Sequence, residues 1–200
     1  MEPRIETAGP EDVGALATAL ADAFFDDPVL SWLLPDRESR SERLRRFFKL
    51  ELQLVGLARG TVWTTEGRDG AAITTPPGQW KLPWSVTLRH GRAFTRAFGT
   101  RLPVASVLLQ LMEHRHIREL HWYIPYIGVV PSSQGRGLGA SLMRPTLEEC
   151  DERGLPAYLE GTSPRNVSLY LRLGFEILDE LRLRDSPPLV LMRRPPAGKA

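Results

Sequence analysis

Gly135, Gly137 and Gly139 occupy every second position where an apolar strand pattern ending in Val129-Val130 gives way to a helical pattern opening at Leu138. Glycines so placed let the chain turn sharply and approach a ligand through backbone conformations that other residues resist. The first amides of a helix have no partner within it and point outward as donors. The helix dipole adds positive potential at the same end. Together these features make a site for a phosphate or pyrophosphate. The pattern is not a Walker loop, because no Gly-Lys-Ser/Thr follows, and its spacing fits the dinucleotide fingerprint poorly. A tight strand-to-helix turn that holds no ligand is the competing account of the same glycines.

A second strand–turn–helix lies downstream. Leu159-Glu160-Gly161-Thr162-Ser163-Pro164-Arg165-Asn166 leads into Val167-Ser168-Leu169-Tyr170-Leu171-Arg172-Leu173-Gly174-Phe175. Ser163 is placed to cap a helix with Pro164 at its first position, and Gly174 follows its end. Asn166 and Tyr170 are four residues apart and share one helical face.

Gln134-Gly-Arg-Gly-Leu-Gly followed by Asn166-Val-Ser-Leu-Tyr-Leu-Arg-Leu-Gly-Phe resembles the GCN5-related N-acetyltransferase (GNAT) superfamily. Gln134, Gly137 and Gly139 match its Gln/Arg-x-x-Gly-x-Gly/Ala motif, and the second block matches its Asn-x-x-x-Tyr-x-x-x-Gly-Phe segment. Within the superfamily the resemblance is closer to the puromycin N-acetyltransferases. It takes in Asp27-Pro28, Glu51 to Trp63, Thr74-Thr75-Pro76 and Ser163 to Asn166, and it is weakest from Gln79 to Glu119.

The resemblance implies an α/β fold: a mixed, mostly antiparallel sheet of six to seven strands, flanked by helices, with a splayed strand pair at the cofactor site. It implies acetyl-CoA (coenzyme A) as donor and an amine as acceptor. Val129 and Val130 would pair with the pantetheine amides. The amides of Gln134, Gly135, Arg136, Gly137, Leu138, Gly139 and Ala140 would hold the pyrophosphate. Asn166 would bond the pantetheine arm and Tyr170 would protonate the leaving thiolate. A phenol of ordinary pKa about 10 still carries its proton at neutral pH, as that role requires. The amine must lose a proton before it attacks. Glu160, at the end of its strand, and His121, before the Gly-rich loop, are the candidate bases, with Tyr123 beside them. Glu160 bonded to a nearby backbone amide, and His121 as a strand-edge surface residue, are the bland alternatives. The acceptor is expected to be a small-molecule amine. A protein lysine or N-terminus, or a non-catalytic coenzyme A-binding module, are the alternatives.

The rest of the chain sets bounds. Its 200 residues suit a single domain, expected over 1–194, with a helical insertion at about 76–120 and a disordered tail at 195–200. With 26 basic and 24 acidic residues, net charge is +2, which gives no reason to expect nucleic acid as partner. No apolar run approaches the roughly 20 residues of a membrane span, and no leader pattern is evident, so a cytoplasmic monomer or homodimer is the expectation. The single cysteine, Cys150, reads as an inert thiol. His114, His116 and His121 lack metal-ligand spacing, so no metal is expected. Arg40, Arg43, Arg45 and Arg46 read as a solvated helix face. Pro145 falls inside the helix expected over Leu138 to Arg153, predicting a kink or a later start.

Overall fold

The computed structural model describes residues 3–198. Seven strands form one sheet in the order β1-β2-β3-β4-β5-β7-β6: β1 (Ile5–Thr7), β2 (Thr61–Thr65), β3 (Gly70–Thr75), β4 (Trp122–Val129), β5 (Ala157–Gly161), β6 (Glu176–Leu181) and β7 (Leu189–Arg194). Every neighbouring pair is antiparallel except β4 and β5. The sheet is therefore mixed and mostly antiparallel, as the motifs imply.

Two apolar cores cover its faces. On one face α1 (Val13–Ala23), α2 (Pro28–Leu33), α3 (Arg37–Glu51), α5 (Gly91–Phe98) and α6 (Leu102–Arg115) bury Leu16, Leu20, Leu44, Phe48, Phe98 and Leu108 against Val62, Ile73 and Tyr158. On the other, α7 (Leu138–Arg153) and α8 (Pro164–Arg172) pack Met143, Leu147, Cys150 and Tyr170 against Ile124, Leu159 and Met192. None of the helices among the described residues is long and apolar enough to cross a membrane.

Local chemistry explains where elements start and stop. Asp27 caps α2 by accepting from the amides of Val29 and Leu30, with Pro28 at the first helical position. α3 begins at Arg37, where Asp36 caps it by accepting from the Glu38 amide. It stops being an α-helix at Glu51 and continues as a π-helical stretch, Leu52–Leu57. Gly56 accounts for the fit: a Cβ there would lie 2.4 Å from Val62 Cγ2, so only glycine lets this segment seat on β2. Arg40 is a correction to the solvated face expected of α3. It is buried, and its guanidinium donates to the carbonyls of Leu34 (2.7 Å), Pro35 (3.1 Å) and Phe25 (3.2 Å).

Residues 84–115 carry α4 (Trp84–Arg89), α5 and α6, the last beginning at Leu102 with Pro103 in its first turn, within the stretch at about 76–120 expected to be a helical insertion. Pro125 does not break β4. The β3–β4 register passes from Ile73↔Tyr126 to Thr75↔Tyr123, so the residue without an N–H falls in a bulge. Pro145 lies inside a continuous α7, and a neighbouring anchor is the Trp63 indole, which donates to Thr146 Oγ1 at 3.0 Å. β6 is an edge strand exposed along nearly its whole length. In the tail, residues 195–198 have no regular structure, although the Ala197 amide donates to Asp151 at 2.6 Å. Positions 199 and 200 lie outside the described residues.

Phe48 is fully buried, with ring centroids of Phe24, Phe47 and Tyr126 between 5.0 and 5.4 Å away. Phe48→Ala is expected to lower the unfolding free energy by about 3–5 kcal/mol in a denaturant titration.

Candidate active site

β4 and β5 pair only at Trp122↔Ala157 and Tyr123↔Tyr158. From Ile124 onward β4 stays with β3, while Leu159 to Gly161 of β5 stay with β7. The two strands diverge like a wedge and leave backbone groups in the gap without sheet partners. A cavity of about 640 Å³ fills the opening. Its walls include Val129, the bend from Gln134 to Ala140 and, from α8, Asn166, Leu169 and Tyr170.

The bend is built by backbone chirality. Gly135 and Gly137 have φ of +79° and +80°, the left-handed region, and a Cβ on either would meet nothing within 4 Å. The concave face is thus clear of protein. Gly139 is different: a Cβ there would come within 3.3 Å of Leu169, so glycine keeps the space between α7 and α8 open. The first helical bond of α7 runs from Ser141 N–H to the Gly137 carbonyl. The amides of Leu138, Gly139 and Ala140 consequently have no partner within the helix. An anionic group fits this cradle on both shape and charge.

The sequence-selected residues are dispersed around it as follows. Gln134 Nε2 donates to the Val129 carbonyl at 2.9 Å, and Arg165 donates to Gln134 Oε1 at 2.7 Å. The Val130 amide donates to Asp69 (2.8 Å), and its carbonyl accepts from the Ser133 amide (2.9 Å), so the edge nearest the cavity is that of Val129 and the residues before it. Arg136 projects from the bend and is exposed. Ser163 Oγ accepts from the Asn166 amide at 3.3 Å, which sets the start of α8. Tyr170, one turn further, is 5% exposed, and its hydroxyl makes no hydrogen bond among the described residues. Burial, and then the charge of Asp27, push that phenol well above its usual pKa. It therefore stays protonated at neutral pH.

Glu160 and His121 stand apart from the cavity walls. Tyr158 and Glu160, two apart on β5, both reach His116. The Tyr123 hydroxyl donates to Glu160 Oε2 at 2.9 Å, so the backbone-amide alternative for this carboxylate does not hold. Glu160 Oε1 is buried without a hydrogen-bond partner. His121 is not the surface residue of the alternative reading: it is 2% exposed, and burial lowers its pKa. Its Nε2 lies 2.9 Å from Nε2 of His116. Thr162 Oγ1 donates to Asp27, whose carboxyl is pushed up by burial. Cys150 is fully buried, and burial pushes its thiol up to about 12, consistent with an inert group.

Sequence reasoning missed Asp27 and Glu51 as site residues, and weighed His116 only as a metal ligand. Glu51 ends α3 with no ion-pair or hydrogen-bond partner among the described residues, and burial pushes its carboxyl up to about 8. Its charge is felt by the Tyr126 phenol, as are those of Glu160 and Asp27. Tyr126 meets the edges of Phe24, Phe47 and Phe48. The helix period had placed Glu51 beside core positions, and the only sequence signal was a carboxylate within an apolar run.

Comparison with known proteins agrees with this geometry. Residues 64–175 match the Acetyltransferase (GNAT) family, and the chain belongs to it. It is an acetyltransferase. An uncharacterised N-acetyltransferase of Schizosaccharomyces pombe is 30% identical over 93% of this chain and 81% of its own length. Among solved structures, a protein described as histone acetyltransferase HPA2 and related acetyltransferase, from Corynebacterium glutamicum, superposes with a TM-score of 0.75 at 24% identity, covering 100% of this chain and 99% of its own. Arylalkylamine N-acetyltransferase 2 from Aedes aegypti gives 0.59 at 13% identity, covering 98% and 99%. At these identities the structural likeness speaks for the fold alone.

Between about pH 4.5 and 8 the unfolded chain has released the Glu51 proton that the folded chain retains, so this group makes stability fall as pH rises. Glu51→Gln removes that dependence. Its melting temperature is expected to exceed that of the parent protein by a margin that grows from pH 5 to pH 8, read by calorimetry across about that range.

Proposed function

We propose that this enzyme transfers the acetyl group of acetyl-CoA to the amine of a small molecule by direct attack in a ternary complex. Residues 1–194 would act as one catalytic domain and 76–120 as its insertion. The observation that carries the reading is the loss of β4–β5 pairing after Tyr123, beside a bend that leads into the partnerless first amides of α7 and whose concave side is clear. Two open strand edges suit an extended chain of amides, and the bend suits the diphosphate that follows it.

In this reading Val129 and Val130 pair with the pantetheine arm through main-chain groups, assisted by Asn166. The amides from Gly135 to Ala140 hold the diphosphate and Arg136 presents its side chain to it, while Gln134, bonded to Val129 and Arg165, braces the bend. Acetyl-CoA supplies an activated acyl thioester. Tyr170 holds a proton in the cavity for the departing sulfur, and its raised pKa keeps it from ionising first. Glu160 accepts the proton of the ammonium, with His121 behind it. Both Glu160 oxygens lie on the α1–α3 side of the sheet, so donor and acceptor would meet from opposite sides of the wedge. The small-molecule preference is supported by the α1–α2 wall of the cavity, where Phe24 lies beside Asp27. An aromatic face next to a carboxyl group suits an amine of limited size.

Saturating acetyl-CoA is expected to raise the melting temperature, and no rise would remove the reading altogether. Tyr170→Phe is expected to keep that shift while kcat falls by about 100-fold or more. In a thiol-release assay, turnover is expected with small primary amines. Turnover confined to peptides bearing a free N-terminus or lysine would transfer the acceptor to proteins.

A further inference from the structure

The polar groups behind Glu160 form a chain whose proton positions follow from one fixed end. The Glu119 carbonyl can only accept, and it lies 2.6 Å from His121 Nδ1, so that nitrogen carries the hydrogen. Burial disfavours the charged form of His121, and a neutral ring with Nδ1–H has a lone pair at Nε2. His116 Nε2, 2.9 Å away, must therefore be the donor of that bond. With its hydrogen on Nε2, neutral His116 presents a bare Nδ1. That atom is 3.6 Å from Glu160 Oε1, the carboxylate oxygen with no hydrogen-bond partner.

The arrangement is held from outside. The Trp80 ring stacks on His116 at 3.8 Å and 13°, and Tyr123 fixes the other oxygen of Glu160. His116 is 8% exposed and the Glu160 side chain 3%. The titratable groups facing His116 are His121 and Tyr123 from β4 and the segment before it, and Tyr158 and Glu160 from β5. On α6, its neighbour Arg115 is held by Asp179 of β6, and Glu113 is held by Lys81.

We propose that His116 is the proton store behind Glu160: the carboxylate takes the proton of the acceptor ammonium and hands it to His116 Nδ1, while His121 fixes the tautomer that makes this transfer available. The proposal rests on the reading of Glu160 as base. Both histidines act through Glu160 and are positioning residues. The balance closes simply. An N–H bond of the ammonium breaks with its electron pair left on nitrogen, and an O–H bond forms at Glu160. That O–H then breaks as N–H forms at His116 Nδ1, leaving an imidazolium beside a carboxylate. The transfer matters because Glu160, set back from the cavity walls, would receive the proton through water, and a proton left on it can return by the same path to the amine. An ion pair with His116 keeps the proton away from the amine without leaving a lone charge buried.

His116→Gln retains an N–H donor for His121 but cannot take up a proton. It is expected to lower kcat by about 10-fold or more, to leave the KM for the amine within about twofold, and to displace the acid limb of the kcat–pH profile. Glu160→Gln is measured beside it. An active Glu160→Gln enzyme would remove the base and the store together. An inactive one, combined with a His116→Gln profile that overlays the parent, would keep the base and overturn the store. Nitrogen-15 spectra of the imidazoles in the unaltered protein test the same claim without a substitution. The expected neutral forms are Nδ1–H at His121 and Nε2–H at His116, and Nε2–H at His121 would overturn the proposal.

Discussion

The site exists because two parallel strands stop pairing. A β-strand normally satisfies its amides and carbonyls through its neighbours, and orphaned buried backbone groups are expensive. After Tyr123 and Tyr158, β4 and β5 each keep one neighbour and lose the other. Other features serve this separation. The bulge at Pro125 bends β4, and the bend at Gly135 and Gly137 carries the chain away over the gap. Asp27 is bonded to Thr162 just past the end of β5, which ties α2 to the opposite lip of the wedge.

The opening also divides the chemistry between two faces. The glycine bend and Tyr170 belong to the side built by α7 and α8. Glu160, His116, Glu51 and Tyr126 belong to the side built by α1, α3 and α6. An acetyl transfer needs a proton taken from nitrogen and a proton given to sulfur. In the proposed reading the group for each task lies on its own face of the sheet, and burial holds Tyr170 protonated.

Much of this was legible in the sequence because short-range rules governed it. Leu138 to Arg153 is bounded by glycines in left-handed conformations at both ends, and its limits agree with the residues that predict them. The cap at Ser163 and the proline after it start α8 where they should. The misses share a cause in tertiary contact. Arg40 looks like a surface residue until Leu34, Pro35 and Phe25 turn their carbonyls toward it. Nothing in the local pattern separates His121 from a surface histidine, because its burial depends on His116, which arrives from α6. Glu51 looked like one more polar position on a helix, yet it stands where the winding widens to seat Gly56 on β2.

The stack of Trp80 on His116 joins the least patterned part of the chain to its most buried polar groups. An inserted segment of this kind is ordinarily treated as exchangeable trim, free to vary while the engine beneath it stays the same. Here the trim reaches into the engine: grafting a different insertion would unclamp an imidazole that touches Glu160, so a change made at the rim would be felt in the interior.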